Sequence, residues 1–376
     1  MHIVVLAEEF YPKISGGALV RWHFCRRAAE QGHDVTVFTP KQDGTPASET
    51  VDGVEIRRPL PSKPSGYPNY APVSILTRVL YSILMLPLVA RYLYANEASA
   101  VHSTSHALYW TGTVLSKLFR LPHVTFVGYT PSMDSSFTVS PRFVLERVNF
   151  RFWMGDVAFC RSPEVKGILE ATSSASAEIL HGNLQTEQIE RVVDGLDANR
   201  IRNRHGVAPD SNLVVFVGRL VPIKNPTAII DIAKKLPPEY EVLVIGDGPE
   251  EQAVANKIQL EDLEARVELV GRLPHDETLR TIAAADALLL TSDAEAYPTV
   301  VFESLAVNTE VFTTPVGILP HLSHDRLHTG SLNDLPRIIE KSDLTVTTGI
   351  DEQTLGRYSM RAYTDRLLTA ASDAIE

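Results

Sequence analysis

The strongest constraint on this chain is an alternation. Short apolar runs that read as buried strands are followed by longer stretches with helical spacing, in two separate series. The first series runs strand 2–7, helix 17–31, strand 34–39, a turn-rich section to Asn69 and an apolar helix 73–95. It continues with strand 100–103, helix 106–119, strand 122–127, helix 141–153 and strand 156–160. The second series restarts at Asn212 and runs strand 212–218, helix 225–235, strand 241–245, helix 250–261, strand 266–270 and helix 275–284. Strand 286–290, one more helix and a strand from Glu310 complete it. Two such series predict an α/β chain with two parallel, doubly wound sheets. A length of 376 residues also favours two domains over one core. The expected division is a first domain over 1–196, a polar linker over 197–210, a second domain over 211–357 and a closing helix over 358–376.

Composition narrows the function classes. The net charge of −11 disfavours non-specific nucleic-acid binding. Two cysteines, Cys25 and Cys160, make no disulfide framework, and no Cys/His metal spacing occurs. A reduced, cytoplasmic compartment is therefore expected. The amino terminus lacks a basic n-region and reads as a strand, not a signal peptide. The most apolar stretch, Val79–Ala90 between Arg78 and Arg91, is shorter than the roughly 20 residues that span a bilayer. Tyr67, Tyr70, Tyr81, Tyr92 and Tyr94 interleave with those arginines, a pattern that also suits a helix lying in a membrane interface and presenting a lipid acceptor. Pro87 and the uniform hydrophobicity favour burial between domains over membrane contact. The basic-aromatic run Arg142–Trp153 invites the same reading.

The chemistry concentrates in Ser292–Ala306. Glu295 should lie in a loop after a strand, and Glu303, eight residues on, at least one turn into the following helix. Both would sit at the carboxyl edge of a sheet, where open α/β folds bind ligands. Carboxylates there accept hydrogen bonds from ribose or sugar hydroxyls. Arg219 and Lys224 follow the strand ending at Gly218; a guanidinium and an ammonium can clamp a diphosphate and neutralise charge growing on it. No metal is then required, and no Asp-x-Asp site is evident. Gly16 and Gly17 open the first helix, where backbone N–H groups and the helix dipole attract an anion. The loop is not G-x-G-x-x-G, which argues against nicotinamide binding.

The E-x7-E spacing within Glu295-Ala-Tyr-Pro…Phe-Glu303-Ser-Leu-Ala resembles the signature of retaining nucleotide-sugar glycosyltransferases of family 4. Val217-Gly-Arg-Leu…Lys224, Ile245-Gly-Asp-Gly-Pro249 and Val270-Gly-Arg-Leu-Pro274 match that family in order along the chain, with Asn225 where it has glycine. The resemblance implies the GT-B fold: two Rossmann-like domains facing a cleft, the first binding acceptor and the second the nucleotide sugar. It implies that Glu303 holds the ribose and that Glu295 lies near the transferred sugar, stabilising oxocarbenium-like charge. Arg219 and Lys224 then serve catalysis at the diphosphate. Gly16, Gly17, Gly218, Gly246, Gly248, Leu273, Tyr297, Pro298 and Thr299 complete the donor site. His181-Gly-Asn183 corresponds loosely to the family's Pro-Asn-Gly between the domains.

Departures are equally specific. Gly128-Tyr129-Thr130 stands where the family has a histidine against the donor sugar. His102 and Tyr129 become the candidate acceptor or cleft residues. Ile318 replaces a glycine that approaches the diphosphate, and a β-branched residue there is expected to crowd the backbone. The leading expectation is a metal-independent, retaining hexosyltransferase with no cofactor. It would take a UDP- or GDP-sugar and an acceptor glycan, glycolipid or lipid-linked sugar, in the cytoplasm or at the cytoplasmic membrane face. The alternatives are a non-catalytic sugar-nucleotide-binding protein and a GT-B sugar-phosphate synthase or phosphorylase.

Overall fold

The computed structural model describes residues 1–12, 16–61, 72–128, 141–295, 297–344 and 349–374. They fall into two units, Met1–His181 with Met360–Glu376 and Gly182–Ser359.

The first unit has strands β1 (His2–Leu6), β2 (Asp34–Phe38), β3 (Ser48–Val51), β4 (Val54–Arg57), β5 (Ala100–Ser103), β6 (His123–Val127), β7 (Val157–Cys160) and β8 (Ser176–Ile179). Its helices are α1 (Gly16–Glu30), α2 (Pro72–Ala95), α3 (Tyr109–Phe119), α4 (Pro141–Phe152) and α5 (Pro163–Thr172). The sheet order is β3-β4-β2-β1-β5-β6-β7-β8, and β3 alone joins antiparallel among the described residues. The central strands are apolar on both faces because helices cover both. Ile3 and Val5 pack with Phe24 and Ala28 of α1, whereas Val4 and Leu6 pack with Met85 and Val89 of α2. That split follows from the two-residue period of a strand.

The second unit opens with α6 (Thr186–Val193) and α7 (Ala198–Arg204) and carries β9 (Asn212–Val217), α8 (Thr227–Lys235), β10 (Tyr240–Ile245), α9 (Glu251–Leu260) and β11 (Val267–Gly271). It continues through α10 (His275–Ala283), β12 (Ala287–Leu290), α11 (Thr299–Ala306), β13 (Glu310–Thr313), β14 (Leu327–Thr329), α12 (Leu335–Lys341) and α13 (Glu352–Tyr358). All its strands run parallel in the order β11-β10-β9-β12-β13-β14. From β9 the chain first builds outward through β10 and β11, then returns to the other side with β12. The order therefore reverses between β9 and β12, and their carboxyl ends flank a crevice.

The last helix, α14 (Met360–Asp373), belongs to the first unit, with Tyr363 and Leu367 in the same core as Phe24. Two sequence expectations need correction. Residues 197–210 are not a free linker: α7 sits in the second unit and its Arg202 is 8% exposed. Arg202 Nη1 meets Asp286 Oδ2 at 2.9 Å, and the same carboxylate oxygen accepts the Leu213 amide at 2.5 Å. The guanidinium tethers the segment that looked polar enough to be solvated. Nor is α2 a helix buried all round. Tyr81, Met85, Val89 and Leu93 are buried, but Leu76, Leu80, Ile83, Leu84 and Leu88 are exposed. Its apolar run is also longer than the stretch singled out from sequence: Leu76–Ala95, 20 residues, has a mean hydropathy of 1.4, and a third of it is buried.

Candidate functional site

The candidate site is built where the second sheet reverses. After β9 the chain turns through Gly218 and Arg219 into a 3-10 turn at Pro222–Lys224. Asn225 then takes φ 45°, a left-handed conformation that asparagine tolerates better than most residues. This explains how the chain manages without the family's glycine. The loop after β12 is bonded to this turn. Thr291 Oγ1 donates to the carbonyls of Lys224 at 3.0 Å and Asn225 at 2.9 Å, and the Asp293 amide donates to the Ile223 carbonyl at 2.9 Å.

Those bonds bring two charges together. Lys224 Nζ donates to Glu295 Oε1, and Ser292 Oγ donates to the same oxygen at 2.8 Å. The lysine and glutamate side chains retain 21% and 12% exposure, so each still has a face open to a ligand. Arg219 is exposed, and its side chain has no hydrogen bond or ion pair among the described residues. Two cations thus stand on one short loop at the carboxyl end of β9.

Backbone contact fixes the neighbouring loop. Gly246 (φ 144°) and Gly248 (φ 155°) lie so close to it that added Cβ atoms would meet the Gly218 carbonyl oxygen at 1.8 Å and the Leu220 carbonyl oxygen at 2.3 Å. The Gly218 and Leu220 amides donate to the Ile245 and Asp247 carbonyls at 3.0 and 2.7 Å. The two glycines let the loops after β9 and β10 lie backbone to backbone.

Glu303 projects from α11 and is 8% exposed. Its partner was not foreseen from sequence. His275 Nε2 donates to Glu303 Oε1 at 2.8 Å, while His275 Nδ1 accepts from Gln188 Nε2 at 3.0 Å. The Glu303 hydrogen bond raises the imidazole pKa above its ordinary value, against a smaller opposing effect of burial. A histidine at the first position of the helix after β11, on the edge that also carries the glutamates, was the signal available.

Tyr297 and Thr299 bind the protein's own chain. The Gly182 amide donates to Tyr297 Oη at 2.9 Å, and Asn183 Nδ2 donates to Thr299 Oγ1 at 2.6 Å. Gly182 takes φ 97°, and an added Cβ would meet the Ser359 carbonyl oxygen at 2.4 Å. The Tyr297 ring stacks on Phe302, centroids 4.2 Å apart. Pro298 is buried at the start of α11 and Leu273 is half-buried in the loop after β11. Ile318 is 2% exposed, so its branched side chain is taken up by the packing of the unit.

In the first unit, Gly16 and Gly17 form the exposed first turn of α1. His102 is no cleft residue: it is 2% exposed, donates from Nδ1 to the Val124 carbonyl at 3.0 Å, and meets the Phe24 ring edge-on. Burial lowers its pKa to about 4, so it serves the fold as a neutral imidazole. Tyr129 lies outside the described residues. Among the described residues no group of three or more His, Cys, Asp or Glu side chains converges as metal ligands would.

This arrangement can receive a diphosphate between Arg219 and Lys224 and hydroxyl groups at Glu295 and Glu303. Comparison with known proteins bears on the family of the chain. The family model described as "Glycosyl transferases group 1" matches residues 197–336, and that described as "Glycosyl transferase 4-like domain" matches residues 15–161. The phosphatidylinositol N-acetylglucosaminyltransferase GPI3 subunit of Saccharomyces cerevisiae is 22% identical over 334 residues, 85% of this chain and 69% of that protein. The N-acetyl-alpha-D-glucosaminyl L-malate synthase of Bacillus anthracis is 19% identical over 363 residues, 92% of this chain and 85% of that one. Among solved structures, Anabaena Alr3699/HepE in complex with UDP superposes with a TM-score of 0.72 at 17% identity, covering 99% of this chain and 100% of the other.

Proposed function

Because the chain belongs to the GT-B glycosyltransferases of family 4, we propose that its second unit binds a UDP- or GDP-sugar and donates the hexose with retention, without a metal. The acceptor class is a lipid-linked sugar, glycolipid or polysaccharide precursor, met in the cytoplasm or at its membrane face. The observation that carries this reading is Lys224 held against Glu295 beside an exposed Arg219 at the reversal of the sheet. The GPI3 relative is named for a phosphatidylinositol acceptor, which supports a lipid acceptor; both relatives are named for an N-acetylglucosaminyl group, which supports a hexose-type donor, and the Bacillus one for L-malate. The UDP in the Anabaena structure supports a nucleotide diphosphate as the ligand.

A diphosphate arriving at Lys224 competes with Glu295 for the ammonium, which frees the carboxylate to face the sugar. The bond from the anomeric carbon to the diphosphate oxygen then breaks. Arg219 and Lys224 neutralise the charge left on the diphosphate, and Glu295 stabilises positive charge on the ring. The acceptor hydroxyl attacks from the face the diphosphate leaves and gives its proton to the departing phosphate oxygen. Glu303 holds the ribose throughout.

The test is to incubate the chain with UDP- and GDP-hexoses and N-acetylhexosamines, lipid-linked acceptors and a chelator, and to read the anomeric configuration of the product by NMR. The expected product keeps the donor's configuration. An inverted product, or transfer that needs added divalent cation, would overturn the reading.

A further inference from the structure

Exposed apolar side chains are not scattered over this molecule. Of the thirteen exposed large hydrophobic residues among the described ones, ten lie on three helices: Leu76, Val79, Leu80, Ile83, Leu84, Leu88 and Tyr94 on α2, Leu118 on α3, and Val148 and Phe152 on α4. The three helices lie side by side, α3 packing against both α2 and α4. On α2 the stripe recurs at helical spacing opposite the buried Tyr81, Met85, Val89 and Leu93. It extends about 27 Å from Leu76 to Tyr94 at the helical rise. Soluble surfaces rarely expose so continuous a patch without an occupant.

Charge identifies the occupant. The chain carries a net charge of −11, yet the described side chains of this face have the opposite sign. Arg91 on α2, Lys117 on α3, Arg120 at its end, and Arg147 and Arg151 on α4 are all exposed. The acid on the helices themselves, Glu146, is 2% exposed and turned inward, and Glu97, two residues past the end of α2, is exposed. A protein partner is usually met by a mixture of signs that sets its register. Basic residues bordering an apolar stripe, with a tyrosine at its end, are instead the pattern of a helix lying in the headgroup layer of an acidic bilayer.

We propose that the outer face of α2, α3 and α4 is a docking surface for an anionic phospholipid bilayer, with α2 lying in the interface and the arginines on the headgroups. The helix does not cross the membrane, because its other face is part of the core of the first unit. The proposal is independent of the donor site.

The test is flotation of the full chain with vesicles of phosphatidylcholine alone and of phosphatidylcholine with phosphatidylglycerol in equal parts. The chain is expected to float with the mixed vesicles and to be released by salt. The variant L80N/I83N/L84N should partition at least about tenfold less. The variant R91A/R151A should lose roughly 30-fold on mixed vesicles and little on neutral ones. Each variant alters exposed side chains, so its thermal melt should match that of the parent chain. Leu260→Asn, at an exposed apolar residue of α9, should float normally. Absence of binding to either vesicle, equal loss with Leu260→Asn, or a dimer that L80N/I83N/L84N dissociates would overturn the proposal; the last would make the face an interface between copies.

Discussion

His102 and His275 are affected by their surroundings in opposite ways. In the first unit His102 is buried against Phe24 and bonds a backbone carbonyl, and burial lowers its pKa to about 4. In the second unit His275 meets a carboxylate at the carboxyl edge of the sheet, and that partner raises its pKa. The contrast extends beyond the two rings. His123 of the first unit is also fully buried, between Ser103 and Thr113, with its pKa lowered to about 3. The second unit places Arg219, Lys224 and Glu295 where loops leave strands and Glu303 on the helix that follows. The two imidazoles of the first unit are core groups, whereas these four charged groups of the second stand at the sheet edge; the buried Arg202–Asp286 pair is the second unit's exception. The surface the first unit presents is apolar and basic, on α2 to α4.

The largest effect that sharpens this contrast is on stability. Arg202→Ala leaves Asp286 buried without its cation, and the unfolding free energy should fall by about 3–5 kcal/mol in urea melts. A small loss would mean that the segment before β9 is only loosely held. Next, Lys224→Ala should lower kcat/KM roughly 100- to 1,000-fold while the thermal midpoint stays near that of the parent chain. A large loss of stability with unchanged turnover would place the lysine with the first unit's structural groups.

A smaller effect is expected at His102. His102→Ala should cost about 2–3 kcal/mol and leave turnover per folded molecule unchanged. Its depressed pKa also gives a sign. The folded state keeps the ring neutral while the unfolded state takes up a proton, so its contribution is present above about pH 6.5 and is lost as pH falls towards about 4. The smallest effect belongs to His275, with the opposite sign. Its pairing with Glu303 stabilises the fold below the unfolded pKa and fades as pH rises through the raised folded one. The stability difference between the parent chain and His275→Gln should therefore shrink from about pH 6 to alkaline pH. A difference that grew with pH would contradict the assigned pairing.

The fold was legible because the buried strands are unbroken apolar runs: Val214–Phe216 and Leu288–Leu290 could hardly be anything else. Short edge strands were not. β3 is Ser-Glu-Thr-Val and alternates between exposed and half-buried residues, which resembles a loop in composition. α7 was read as a linker because Ala-Asn-Arg-Ile-Arg-Asn-Arg has little apolar periodicity, and only the structure shows that Arg202 turns inward. α2 failed for the opposite reason: apolar on every side, it gave no sign of which face the sheet would cover. The placement of Glu295 after β12 and Glu303 within α11 followed from spacing alone. His275 needed the third dimension, because Glu303 is 28 residues away in sequence. Tyr297 and Thr299 were expected to face a donor, yet their hydroxyls bond Gly182 and Asn183.

The central claim is that the carboxyl edge of the second sheet is a nucleotide-sugar site. Its most direct test is calorimetric titration of UDP and GDP into the parent chain, Lys224→Ala and Glu303→Ala, with a chelator present. One nucleotide should bind the parent chain, and both substitutions should weaken it at least about tenfold, by loss of a charge-assisted contact to the diphosphate or the ribose. No binding of either nucleotide, or binding that both variants retain unchanged, would contradict the account.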